Sequence, residues 1–443
     1  MTEGRSIRGP RRAVRGRVLS VLDDPAVVGD EASYRYIEDG LVVVEGGCVA
    51  DLGEASSLLF ALPAETPVDH YPGCLVVPGL IDSHIHYPQT QVIASHGGQL
   101  LEWLERYAFS EERKFADPEH AKKIANFFLD ELLRNGTTTA AVYCTVRPES
   151  AEAFFSESER RKTCMIAGKV MMDRNAPPGL LDTAERGYAE SKALLERWHG
   201  TGRQLYAITP RFAVTSSEAQ LAVCGDLLRE FPSAYLQTHL SETRDEIETV
   251  RRLFPKARSY TEVYDRAGLL GPRSIFGHGL HLEEPELRRL SETSSVVAFC
   301  PTSNLFMGSG LLDLARLSDS RRPVRVSLAT DVGGGTSYSM LRTAGEAYKV
   351  SRIKGRNLRA CEAFYLMTLG NARALGLAHR IGTLEPGTDA DITILDARAT
   401  PAMAHRMETI AGNLPEELFL LMTLGDDRAV RATYVMGERV NAV

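Results

Sequence analysis

Hydrophobic and polar positions along this chain follow two rhythms. Up to residue 77, short apolar runs alternate with turns, as in Gly40-Leu41-Val42-Val43-Val44-Glu45-Gly46-Gly47 and Cys48-Val49-Ala50-Asp51-Leu52-Gly53. Short strands bounded by Gly and Asp predict a small β-domain. From Leu75 onward, apolar runs alternate with long amphipathic stretches. Strands are expected at residues 76–85, 137–143, 165–172, 205–209, 234–239, 275–278, 296–299 and 324–330. Helices are expected between them at residues 118–134, 151–162, 181–198, 217–230, 243–253 and 285–292. Sustained strand–helix alternation predicts a parallel sheet, and at this length a closed barrel. After residue 380 the short-strand pattern returns, at 390–395 and 429–436. The fold class expected is α/β: a (β/α)₈ TIM-like barrel over residues 78–380, with a small β-sandwich domain formed from both chain termini, residues 1–77 and 381–443. Chain ends that lie close together make such an insertion feasible. The pattern alone leaves an open doubly wound sheet as the alternative.

Composition narrows the partners. The net charge of −7 over 443 residues argues against a nucleic-acid-binding protein, which normally presents a basic face. It does not exclude a nucleobase as a small substrate. No run of about 18 apolar residues occurs, so no membrane span is expected. Arg5, Arg8, Arg11, Arg12, Arg15 and Arg17 crowd the start without the apolar run of a secretory signal. They read as a solvated arm leading into a strand at 14–22, with an organelle transit peptide as the other reading. The seven cysteines are scattered and form no CxxC pair. That suits a reducing cytosol and a cytoplasmic location, and it removes the PCxxC deaminases that hold zinc with cysteines.

The candidate chemistry sits at strand ends. Asp82-Ser83-His84-Ile85-His86 closes the first barrel run, and residues i and i+2 of a strand share a face. His84 and His86 therefore project together, either as the start of a metal site or as a packed pair. His239, His278 and Asp331 each close a later apolar run, just before Gly or polar residues. Each alone reads as a structural residue, but four such placements in order along a barrel point to a metal site at the C-terminal face. Glu242 follows His239 by three positions. It is placed either to move protons beside a metal or to cap the helix at 243. His70, His96, His120, His199, His281, His379 and His405 lack this setting. Gly333-Gly334-Gly335 lacks the Lys and Ser/Thr of a phosphate loop and reads as close packing.

The order HxH, His, His, Asp within a barrel flanked by a split β-domain resembles the amidohydrolase superfamily of metal-dependent hydrolases. Longer strings narrow the likeness to its guanine deaminases: Pro78-Gly79-Leu80-Ile81-Asp82-Ser83-His84-Ile85-His86-Tyr87-Pro88-Gln89, Leu100-Leu101-Glu102-Trp103-Leu104, Pro210-Arg211-Phe212, Thr238-His239-Leu240-Ser241-Glu242, Gly277-His278-Gly279, Cys300-Pro301-Thr302-Ser303-Asn304 and Thr330-Asp331-Val332-Gly333-Gly334-Gly335. The resemblance implies one zinc per chain held by His84, His86, His239 and Asp331. It implies that Glu242 is the proton shuttle, that His278 holds the attacked centre or the water, and that Asp331 takes the proton of the water. It implies that Gln89, Arg211 and Phe212 grip guanine, with His239, Glu242 and Asp331 also facing the base. Hydrolytic removal of the amino group of guanine to give xanthine and ammonia, by a cytoplasmic homodimer, is the implied activity. Two-metal relatives need a carboxylated Lys after a middle strand. Lys169, the one candidate, lies inside an apolar run, so a one-metal site is expected.

Specificity has a physical argument beside the resemblance. Arg only donates, whereas Gln donates and accepts. Arg211 therefore suits the ring carbonyl or ring nitrogen of guanine, where adenine presents an amino group instead. Phe212 is placed to stack on a base or to fill core. The rival readings are a related barrel deaminase acting on an oxidised guanine, a pterin or a triazine, and a metal-free scaffold. The complete ligand set argues against the second.

Overall fold

A computed structural model describes residues 9–96 and 99–440. Arg5 and Arg8 lie outside the described residues. The N-terminal strands are β1 (Arg11–Val21), β2 (Tyr34–Glu45), β3 (Cys48–Glu54) and β4 (Val68–Pro78). The central strands are β5 (Leu80–His86), β6 (Thr137–Tyr143), β7 (Cys164–Gly168), β8 (Val170–Met171), β9 (Gln204–Pro210), β10 (Tyr235–Leu240), β11 (Ser274–His278), β12 (Val296–Phe299) and β13 (Arg325–Leu328). The chain ends with β14 (Ile392–Leu395), β15 (Val430–Val435) and β16 (Glu438–Val440). Strands β5, β6, β7, β9, β10, β11, β12 and β13 pair in parallel in that order, and β8 pairs with β9. The terminal strands form one mixed sheet in the order β16-β15-β14-β4-β1-β2-β3.

The continuous apolar run 76–85 serves both sheets. Its N-terminal half is β4 of the terminal sheet, and its C-terminal half opens the barrel as β5. The change of partner falls at Gly79, where a Cβ would lie 2.2 Å from Thr138 Oγ1. Gly79 N–H donates to Asp391 O at 2.8 Å, tying the junction to the C-terminal part of the sheet.

The barrel is nearly closed, and the seam between β13 and β5 is made at the strand ends. Asp331 N–H donates to His84 O at 2.9 Å, and His86 N–H donates to Val332 O at 2.8 Å. Lower down, side chains complete the ladder. Asn371 Nδ2 donates to Ile81 O at 2.7 Å and Leu328 O at 2.8 Å, and its Oδ1 accepts from Leu328 N–H at 2.8 Å. The buried Asp82 carboxylate accepts from the backbone N–H and the hydroxyl of Thr330. Asn371→Ala takes a partner from three buried backbone groups, of which Leu328 O keeps the Ser83 hydroxyl at 3.1 Å, so a loss of about 1–3 kcal/mol in stability is expected. Urea unfolding measures it, and an unchanged midpoint would mean that the strands alone hold the seam.

Two sequence expectations need correction. The strand expected at 14–22 begins earlier: Arg11 and Arg12 are not part of a solvated arm but lie with Arg15 and Arg17 in β1, an interior strand of the terminal sheet. Within that strand Val14 and Val18 are buried in the core of the sheet, while Arg11, Arg15 and Arg17 reach Glu45, Asp39 and Glu417, each at 2.7 Å. The stretch after residue 380 is also not all short strands. Helices Pro401–Ile410 and Leu414–Leu424 interrupt it. The second packs on helix Met340–Ile353 so closely that a Cβ on Gly345 would meet Met422 O at 2.4 Å. Leu414–Leu424 is apolar on nearly every side, so no period betrayed it. Among the described residues no helix is long and apolar enough to cross a membrane.

Candidate metal centre and active site

The strands deliver their C-terminal side chains into one pocket. It is lined by His86, Gln89, Arg211, Phe212, His239, Glu242, His278 and Asp331, together with Leu100, Trp103, Leu104, Ser303, Met307 and Gly334. His84 and His86 come from β5, His239 from β10, and His278 ends β11. Asp331 stands three residues beyond β13, and Arg211 and Phe212 directly follow β9. Strain gathers here: Ser241, His278 and Asp331 have φ of 49°, 72° and 52°. Left-handed backbone at a non-glycine residue costs about 1–3 kcal/mol and persists where the surroundings over-determine it.

The side chains form two overlapping metal-competent groups, His84–His86–His239 and His84–His278–Asp331, with ligand atoms within 4.8 Å of one another in each. Asp331 Oδ1 lies 3.3 Å from both His84 Nε2 and His86 Nε2. His239 Nε2 faces His86 Nε2 at 3.2 Å. Both ring nitrogens of His84 are buried without a hydrogen bond. Burial holds the imidazoles neutral: it pushes His86 down to about 4 and His278 to about 3 despite the Asp331 charge, and His239 well below its ordinary value. Burial pushes the Asp331 carboxyl up, but the histidines around it, His84 first, pull it further down, so it stays well below the usual carboxylate range. Imidazole nitrogens and a carboxylate converging on one point, with the His84 nitrogens unbonded, are the donor set a divalent cation takes.

The outer contacts sort the histidines. His239 Nδ1 lies 2.7 Å from Arg211 O, an atom that only accepts. Nδ1 therefore carries the proton, and the Nε2 lone pair points into the cluster. His278 is the reverse. Asn304 Nδ2 donates to its Nδ1 at 2.9 Å, which places the proton on Nε2. That N–H points toward Glu242 Oε2 at 3.3 Å and Asp331 Oδ2 at 3.8 Å. His278 thereby presents an N–H to the pocket and His239 a lone pair. A Cβ on Gly277 would lie 2.6 Å from His84 Cε1, so only glycine leaves the His84 ring its place.

Glu242 does not cap the helix that follows. Thr243 does, in a capping box with Glu246, and Glu246 Oε2 also accepts from Glu242 N–H at 2.8 Å. The Glu242 side chain is free to face the pocket, where Ser309 Oγ donates to Oε1 at 2.8 Å. Burial first, then the charges of Glu246 and Asp331, raise its carboxyl well above the ordinary value. A carboxyl pushed upward in this way holds its proton more firmly and is suited to exchange it with a substrate.

Gln89 and Arg211 share a partner absent from the sequence reasoning. Buried Glu112 accepts from Arg211 Nη1 at 2.7 and 2.8 Å and from Gln89 Nε2 at 3.1 Å. Glu112 lies in Ser110-Glu111-Glu112-Arg113, which reads as an exposed charge run. Asn304, Ser303 and Trp103 belong to strings that carried the family likeness, yet nothing in their spacing revealed their contacts. The glycine triplet is close packing: a Cβ on Gly333 would meet Gln89 Cβ at 2.5 Å, and one on Gly334 Ser303 Oγ at 2.6 Å. Lys169 is buried, with Nζ 2.5 Å from Asp182 Oδ2 and 3.2 Å from Glu190 Oε2.

Residues 75–440 match the model of the amidohydrolase family. The guanine deaminase of Escherichia coli (strain K12) is 48% identical over 432 residues, 97% of each chain. The solved E. coli guanine deaminase superimposes with a TM-score of 0.94 at 47% identity, covering 97% of this chain and 99% of that one. Guanine deaminase from C. acetobutylicum, solved with guanine in its active site, matches with a TM-score of 0.86 at 26% identity, covering 97% of this chain and all (100%) of the other.

Proposed function

This chain belongs to the amidohydrolase family, and from that premise we propose that it hydrolyses guanine to xanthine and ammonia. The observation that carries the reading is one pocket holding the His/Asp cluster, the buried Glu242 carboxyl and an Arg–Gln pair, in a chain similar to guanine deaminases over nearly its whole length.

His84, His86, His239 and Asp331 would hold the cation, which we take to be one zinc per chain. Such a cation supplies Lewis acidity and lowers the pKa of a bound water to about 7. The chain's own residues do the rest. Asp331, ionised throughout the neutral range, accepts a proton from the attacking water. Glu242 gives its proton to a ring nitrogen of the base, which neutralises the charge that builds as water adds to the amino-bearing carbon. As the tetrahedral carbon collapses, a proton passes to the amino nitrogen and ammonia leaves. Atoms balance: guanine and water become xanthine and ammonia. His278 holds the addition site with its Nε2–H. Arg211 offers donors to the base and Gln89 its amide oxygen, while Phe212 and Trp103 wall the pocket. A cytoplasmic homodimer, implied by the sequence resemblance, completes the proposal.

Incubation with guanine tests it. Xanthine and ammonia should appear in equal amounts, stop after chelation and return with added zinc. Turnover indifferent to chelation would refute the metal's part, and no xanthine from metal-loaded protein would refute the substrate.

A further inference from the structure

Glu112 touches neither the His/Asp cluster nor any group assigned to the chemistry. It lies on the short helix Phe109–Glu112, in the segment that also supplies Leu100, Trp103 and Leu104 to the pocket wall. Its carboxylate is buried, 1% exposed, and both oxygens are spent on two pocket residues. Arg211 Nη1 sits between them at 2.7 and 2.8 Å, with the guanidinium 5.3 Å over the Phe109 ring. Gln89 Nε2 donates to Oε1 at 3.1 Å.

A carboxylate only accepts, so it fixes the sense of each neighbour. The nitrogen end of the Gln89 amide must face Glu112, which leaves the oxygen as the end for a ligand. Arg211 is held by one nitrogen, which leaves its remaining N–H groups in a set direction. A free Gln amide presents either end, because its two ends differ little in shape. Resting on the guanine reading above, we propose that Glu112 is a positioning residue for base selectivity. It fixes the Gln89 amide with oxygen toward the substrate and aims Arg211, so that the pocket takes a ring carrying a carbonyl beside an N–H and rejects one carrying an amino group there.

The test compares guanine with 2,6-diaminopurine, which has the same amino group at the reacting carbon and an amino group in place of the carbonyl. In Glu112→Gln, KM for guanine should rise about 10–100-fold while kcat changes far less, because ground-state binding is lost rather than the proton transfers. The guanine-to-diaminopurine ratio of kcat/KM should fall about tenfold or more, since an unpinned Gln89 accommodates both rings. Metal content should stay at the unaltered level. Glu112→Asp keeps the charge, so it should retain part of the selectivity, and it decides the matter if the Gln variant does not fold. Unchanged KM and selectivity in metal-loaded protein would overturn the role of Glu112, as would kcat and metal content falling in step with selectivity. Failure of the unaltered protein to act on guanine would overturn the underlying substrate reading instead.

Discussion

Glu242→Gln is expected to lower kcat by about 10²–10⁴, the usual worth of a positioned general acid–base group. The amide nearly matches the carboxyl in shape and can still meet Ser309 Oγ, which lies 2.8 Å from Oε1. What it lacks is a proton to release to the ring and recover from the water. Because Glu242 is not in either metal-competent group, zinc content should be preserved. Steady-state kinetics with metal analysis on one sample checks both halves. Near-normal turnover would remove Glu242 from the chemistry, and loss of metal together with turnover would place it in the metal site.

Arg211→Ala is expected to damage stability and catalysis by separable routes. Its guanidinium is the cationic partner of Glu112, and both side chains are buried, 3% and 1% exposed. Removing one member of a buried pair leaves a charge without compensation and costs about 3–5 kcal/mol. Guanine kcat/KM should fall by about 10² or more, because the acceptor atoms of the base lose their donor. The double variant Arg211→Ala with Glu112→Ala should regain most of the stability in urea, since no buried charge remains, yet none of the turnover. Turnover that returns with stability would make Arg211 purely structural.

The legible parts of this molecule are those that repeat a local pattern. Eight apolar runs announced the barrel strands, and helix Pro118–Arg134 begins and ends where its proline, its amphipathic period and its final arginine place it. The metal-competent residues were legible because each closes such a run, and a barrel gathers strand ends at one face. The shared run across Gly79 was not legible as two strands, since the partner changes without a change of polarity. Glu112 was invisible for the opposite reason. Its neighbours are charged and its sequence setting is that of a surface, so only the fold reveals that it is buried against Arg211. The alternative roles of Glu242 turned on which residue caps the next helix, and the capping box of Thr243 with Glu246 decides that.

The most direct test of the account is ammonia release from a panel of guanine, adenine, cytosine, an oxidised guanine and a pterin, with metal determined on the same protein. Release from guanine at a kcat/KM far above every other member, at one zinc per chain, is the expected result. Release led by another member, or from guanine by protein without bound metal, would contradict it.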